Sequence, residues 1–505
     1  MSDLAGAPLV PYRLTSPGLR ERAVRGMFWV VVSTASTRLL QLGTNVVLAR
    51  LLAPRQFGAF AVATIVINGL LLLNDLGVGT ALVYHQGDRD VVASTAFFLL
   101  PILGFVVAGA GVITAPLTAR ALGDATAVGI VRLLSVSVFF SSIAVVPSML
   151  LEKDLAFRRK VLAEVAPVMA FSVTAIVGAG LLGAGAYSLA TAEVVQSAGM
   201  AVLFWLACPW RPRWTFDTAA ARSLLGYGKH VLFGAVIVFF ATNMDNGFVS
   251  RVAGERVLGT YVLAYSIANI PATEVGDVVG RVLFPSFVQL NNRLGNLRSA
   301  YAQSLRALAV ITAPLLAGMS GVATPFVLAV FGRQWAGMIR PLEILPIFAA
   351  LRVVSGVTGN LFLAAGRPRY NLMIGLVGVP VQAALLWFFV AARREGAFGA
   401  AVAVTIASVI ALALVVYLTS KVLTIDFFAA AGTALQFAAA AGACYLASRV
   451  TVRVVALSPA TDLVMGAVSG TVAYLVSLFL VGGGRHMVDV VDLLRRHEGR
   501  TGLAG

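Results

Sequence analysis

Charge is scarce in this chain. Asp, Glu, Lys and Arg make up 12% of its 505 residues, against roughly a quarter in a soluble globular protein. With 59% hydrophobic residues and a mean hydropathy of +0.90, too few polar groups remain to clothe a water-soluble surface of this size. Acidic residues are the scarcer sign, 22 against 38 basic, leaving a net charge of +16 and a pI near 10.6. In a soluble chain that excess would point to nucleic acid. Here the arginines cluster between long apolar runs, where loops on the cytoplasmic side of a membrane collect them, and no nucleic-acid partner is expected. The two cysteines, Cys208 and Cys444, are too few and too far apart for a disulfide framework, metal site or redox pair, and read as packing residues. His85, His230, His486 and His497 have no ligand spacing. No phosphate-binding GxxxxGK[ST], HExxH or GxSxG motif occurs. Asp88-Arg89-Asp90 spells D-x-D, but in a short loop with no catalytic domain around it this reads as a charged turn. No catalytic residue, metal or cofactor is expected.

What the chain has is apolar runs of about 20 residues or more, the length that crosses a bilayer core. Gly, Pro and charged punctuation divides them into fourteen candidate spans, at 27–52, 57–83, 91–115, 127–150, 161–183, 185–207, 223–250, 257–285, 302–331, 341–365, 370–391, 397–420, 428–448 and 462–482. The fold class is therefore all-α, a polytopic membrane protein. Loop Lys and Arg favour the N-terminal side roughly two to one, which puts both termini in the cytoplasm. Residues 1–26 carry no signal-peptide cleavage pattern and read as a cytosolic tail.

Sliding the chain along itself by 201 positions lays Asn45, Arg50, Arg55, Gly58 and Asn68 on Asn246, Arg251, Arg256, Gly259 and Asn269. Spans seven and eight thus repeat spans one and two. An even number of spans per repeat keeps both copies in one orientation, related by an axis along the membrane normal. The expected domains are an N-lobe (27–207), a basic linker (208–222), a C-lobe (223–420), two further helices (421–483) and a C-terminal cytosolic tail (484–505).

Polar side chains at membrane depth must face protein or water, since an arginine at mid-bilayer costs at least ~2.5 kcal/mol. Thr34, Arg38, Gln41 and Asn45 share one helical face by their spacing. Asn243, Asn246 and Ser250 form a second stripe beside Asp245, which binds a coupling cation or proton or pairs with an arginine. On the eighth span Ser266, Asn269, Thr273, Asp277 and Arg281 line a third face, with Glu274 flanking. Asp277 and Arg281 are an internal i,i+4 ion pair, a guanidinium offered to a diphosphate, or both. Arg352 on the tenth span also points inward.

The opening LARLLAP (48–54), NDLG (74–77) and the later LGTYVLAYSIANIP (258–271), Phe284-Pro285, FGRQW (331–335) and AAGRP (364–368) resemble the polysaccharide-exporter branch of the multidrug/oligosaccharidyl-lipid/polysaccharide flippase superfamily. The resemblance runs from about residue 25 to 391. It implies a flippase of the bacterial cytoplasmic membrane that carries a polyprenyl-diphosphate-linked oligosaccharide, or a similar lipid-linked glycan, from the inner to the outer leaflet. Two rocking lobes would alternate access, with helices one, two, seven and eight lining the cavity, for cell-envelope or exopolysaccharide synthesis. Membrane lipids, a glycan polymerase and glycosyltransferases are the implied partners, and Na+ or H+ the coupling ion. A cation-coupled drug antiporter of the same superfamily is the first alternative, disfavoured by arginines on the inward faces. A membrane glycosyltransferase or polymerase would need a larger outer loop with carboxylates. A non-transporting scaffold is the remaining alternative.

Overall fold

The computed structural model describes residues 36–75, 78, 82, 88–154, 156–290, 294–423 and 427–482, with side chains 225, 227–231, 233, 274–286, 289, 294, 427–431 and 481–482 outside the description. The described residues form helices and no strand. We number the long helices α1 (36–51), α2 (Pro54–Asp75), α3 (Arg89–Ala121), α4 (Val128–Lys153), α5 (Phe157–Gly180), α6 (Ala186–Ala207), α7 (Thr218–Ala253), α8 (Glu255–Leu290), α9 (Leu294–Gly321), α10 (Ile339–Ala364), α11 (Arg369–Leu386), α12 (Gly396–Ser420), α13 (Phe427–Val455) and α14 (Pro459–Gly482). Short wide and narrow turns join α9 to α10 and extend α11 to Ala392. Among the described residues, eleven helices are long and apolar enough to cross a membrane by length and composition. The expected fourteen spans exceed that count by α1, α7 and α8, each of which is only partly described. Ile102, Phe105, Ile113 and Leu117 on α3 are 65–79% exposed, an apolar surface consistent with a helix that faces lipid.

The repeat read from the sequence has a structural counterpart where α2 and α8 cross. A Cβ on Gly58 would lie 1.7 Å from the Glu255 carbonyl oxygen, and one on Gly259 would lie 1.9 Å from that of Pro54. Residues 54 and 255, and 58 and 259, are equivalent under the 201-residue shift, so a pseudo-twofold axis runs between these helix starts. Only glycine allows backbones this close.

Around the crossing, each lobe holds the last turns of the other's first helix. Gln334 Nε2 and Trp335 Nε1 donate to the Ala49 carbonyl at 2.9 and 2.7 Å. Arg50 Nε donates to the Val330 carbonyl at 2.7 Å and its Nη2 to that of Ala329. Phe57 meets the Trp335 ring edge-on at 5.2 Å. On the symmetry-related side, Ser250 Oγ donates to the Leu122 carbonyl at 2.7 Å. Gly123 (φ 87°) and Gly332 (φ 96°) turn the chain beside Arg251 and Arg50 respectively, at a left-handed φ that favours glycine. LARLLAP and FGRQW are thus the two halves of one clasp. A core that includes Ala49, Val62, Ala119, Tyr261, Trp335 and Met338 fills it.

Toward the opposite end the lobes keep separate cores, with α7 as the exception. Its Ala220 and Leu224 pack into the N-lobe core with Leu100, Leu150 and Phe204. The linker before it is pinned there by Asp217 N to Thr95 Oγ1 (3.1 Å) and Arg213 N to Ser94 Oγ (3.0 Å). The D-x-D triplet is absorbed structurally at this end. Asp88 caps α3, Arg89 pairs with Asp154 at 2.6 Å, and Asp90 pairs with Arg213 at 2.8 Å while accepting from Trp210. Cys208 and Cys444 are buried and free. Helices α13 and α14 pack on α9, with Arg449 paired to Glu343 and Tyr474 donating to the Ala309 carbonyl at 3.3 Å.

Candidate functional site

Four residues spaced four apart on α8, Tyr261, Tyr265, Asn269 and Thr273, run down one face away from the clasp. Tyr261 is fully buried and donates to Asp245 Oδ2 at 2.6 Å. Asp245 is 2% exposed and its Oδ1 has no hydrogen-bond partner. One turn further on, Tyr265 OH and Asn269 Oδ1 both accept from Arg352 Nη1, at 3.1 and 3.3 Å. The Tyr265 ring leans on Phe348 of α10, 5.5 Å between centroids. Arg352 is nonetheless exposed. Its guanidinium is held at one nitrogen while the other donors of the fork remain to reach an anion.

The α7 stripe divides between two surroundings. Asn243 accepts from Asn68 Nδ2 at 3.2 Å, a contact between the lobes, and Ser250 reaches the N-lobe at Leu122. Asn246 Oδ1 is buried without a partner. Asp245 turns away from this stripe into the C-lobe core and is reached by Tyr261. On α1, Arg38 Nη1 donates to Gln41 Oε1 at 3.2 Å, and Arg38 is exposed. Asn45 is half-buried one turn on. Thr34 lies outside the described residues, as do the side chains of Glu274, Asp277 and Arg281, so their pairing is not described.

The structure therefore gathers Asp245, Asn269 and Arg352 around two tyrosines that sequence reasoning passed over. The signal was available: Tyr261 and Tyr265 extend the Asn269 and Thr273 spacing upward by two further steps. No group of three or more His, Cys, Asp or Glu among the described residues could hold a metal ion. A groove of about 460 Å³ between α1 and α5, lined by Leu39, Gly43, Thr44, Ser172 and Val173, is apolar and lies away from this polar face.

The model of the family described as "Polysaccharide biosynthesis protein" matches residues 47–340. The chain belongs to that family. Its relatives include the lipopolysaccharide biosynthesis protein WzxC of Escherichia coli, 27% identical over 69% of this chain and 71% of that protein. The teichuronic acid biosynthesis protein TuaB of Bacillus subtilis is 25% identical over 70% and 73%, and the succinoglycan biosynthesis transport protein ExoT of Rhizobium meliloti 29% identical over 62% and 63%. Among solved structures, the lipid II flippase MurJ in an inward closed conformation superposes with a TM-score of 0.73 at 14% identity, over 92% of this chain and all of that one. An inward-facing MATE multidrug transporter of the MOP superfamily gives 0.63 at 18% identity, over 76% and 95%. The fold is that of this superfamily. The clasp motifs LARLLAP and FGRQW lie inside the stretch matched by the family model.

Proposed function

We propose that this family member flips a lipid-linked oligosaccharide across the bacterial cytoplasmic membrane by alternating access, and is a transporter rather than an enzyme. The observation that carries the reading is Arg352, an exposed guanidinium held by Tyr265 and Asn269 on the polar face of a two-lobed protein closed at one end. A glycan headgroup with phosphates cannot cross hydrocarbon unassisted, whereas its lipid tail is at home there. A cleft that is hydrated, bears arginine and opens sideways to lipid serves both parts, with Arg38, Gln41, Asn45 and Asn243 as further polar lining and Asp277 and Arg281 as candidates on the same helix as Asn269. The names of WzxC, TuaB and ExoT support a glycan cargo. Asp245 Oδ1 and Asn246 Oδ1, buried without partners, are the oxygens through which Na+ or H+ coupling would act. Glycan polymerases and glycosyltransferases would act before or after it in the same membrane.

The test is proteoliposome flipping of a fluorescent polyprenyl-diphosphate oligosaccharide, read by dithionite quenching from one side. Accelerated exposure over empty vesicles is expected. Proton-driven ethidium efflux without glycolipid movement would instead establish the drug antiporter.

In this reading both termini are cytoplasmic and the clasp faces outward. A membrane-impermeant maleimide added to intact cells should then label Ala336→Cys, an exposed position at the clasp end, and leave the exposed Asn296→Cys untouched. The opposite labelling pattern would invert the orientation.

A further inference from the structure

At the edge of the clasp, two carboxyl groups from different lobes face each other. Asp124, in the N-lobe turn after α3, is 5% exposed, and its Oδ1 accepts from the Thr126 backbone N–H at 2.8 Å. Its Oδ2 is buried without a partner. Glu255 begins α8 in the C-lobe, with Oε1 paired to Arg55 of α2. The Thr126 hydroxyl stands between them, 2.6 Å from Asp124 Oδ1 and 3.2 Å from Glu255 Oε2, and it has one proton to give. The remaining charges on the elements packed here, Arg120, Arg251 and Arg256, are exposed. Arg55 pairs with Glu255, and among the described residues no cation forms an ion pair with Asp124.

We propose that Asp124 and Glu255 form a proton-binding latch between the lobes: one proton shared by the two carboxyls holds the clasp end closed, and its loss loosens it. Burial, together with the adjoining Asp124 carboxyl, pushes Glu255 above the ordinary glutamate value, against the pull of Arg55. The sign follows from linkage. Glu255 binds its proton more tightly with the clasp closed than in an opened, solvated form. Closure is therefore fully supported below the ordinary value near 4.5 and is lost as pH rises from there through the raised one. Between those two values a single proton changes the closed-to-open ratio by up to about tenfold per pH unit. With the orientation proposed above, an acidic exterior would favour the form open to the cytoplasm, where cargo is collected. That last step alone rests on the proposed function; the latch does not.

The test uses the full-length protein in lipid nanodiscs, spin-labelled at Leu182→Cys and Ala336→Cys, exposed positions of the two lobes at this end. Distance distributions are recorded from pH 4.5 to 8. The expected result is a longer-distance population that grows with pH. In E255Q, whose amide donates to Asp124 as a protonated Glu255 would, the short distance should persist at every pH. D124N, which keeps an oxygen for the Thr126 N–H, should flatten the profile in the same way. A flat profile in the unsubstituted protein, or an unchanged one in both variants, would overturn the proposal. Closure at pH 8 produced by millimolar Mg2+ or Ca2+ would overturn it as well, assigning the pair to a metal. Because distance is read without cargo, failure here leaves the flipping assay unaffected.

Discussion

Gly58→Ala is expected to abolish flipping or cut it by at least about tenfold, although it adds a single methyl group. The added carbon would lie 1.7 Å from the Glu255 carbonyl oxygen, a contact with backbone that no side-chain rotation relieves. Relief requires α2 and α8 to part by more than an ångström. The clasp hydrogen bonds at 2.7–2.9 Å from Trp335 and Gln334 to Ala49 would then stretch beyond bonding range. Each such bond contributes about 1 kcal/mol net, and 1.4 kcal/mol is a tenfold change in the closed-to-open ratio. Gly259→Ala, its pseudo-symmetric partner, should behave alike, whereas Gly254→Ala tests left-handed backbone strain without a contact, since no atom lies within 4 Å of its added carbon. Spin-label distances between Leu182→Cys and Ala336→Cys should lengthen in both clasp variants, in parallel with lost flipping. Normal flipping with the short distance retained would mean that the crossing is not held in the working protein.

The second large effect is expected at Arg352. Flipping should fall in the order arginine, lysine, alanine, glutamate at equal membrane abundance, with lysine down about tenfold and glutamate down a hundredfold or more. One nitrogen of the guanidinium is engaged by Tyr265 and Asn269, which aims the rest of the fork. A lysine keeps the charge but is a single point donor and loses the bidentate match to phosphate oxygens. Glutamate sets like charges together in a low-dielectric cleft. Tyr265→Phe should produce a milder loss, because Asn269 still holds the guanidinium. A glutamate variant that flips normally would remove Arg352 from the cargo path and with it the main ground for preferring an anionic cargo.

The helices were legible because apolar run length is set by the bilayer and punctuation by turn chemistry. The expected 185–207 and 397–420 became Ala186–Ala207 and Gly396–Ser420. The division of 161–207 held as well, with Gly183 and Gly185 at positive φ in the turn. The pseudo-symmetric shift was legible because Gly58 and Gly259 each had to be glycine for the same contact. What the pattern could not give was the partner of each face. Helical spacing put Asp245 next to Asn243 and Asn246, yet one step along a helix is a 100° turn, enough to send Asp245 into its own lobe while Asn243 meets Asn68. Asp124 and Glu255 were invisible for a related reason. One lies in the turn after α3 and the other in the first turn of α8, and only the meeting of the two lobes brings them together.

Helix α7 begins in one lobe and ends in the other. It is 36 residues long and carries no internal proline, so at 1.5 Å per residue it is a rod of about 54 Å. Its first turns are anchored among N-lobe side chains and its last in the core that both lobes share at the clasp, where Ser250 bonds to Leu122. Any change in the angle between the lobes must therefore be absorbed as curvature along its middle, where nothing lies within 4 Å of an added carbon at Gly234. Mechanically, α7 is a leaf spring clamped at both ends. Its stiffness would govern how fast the molecule returns after each stroke.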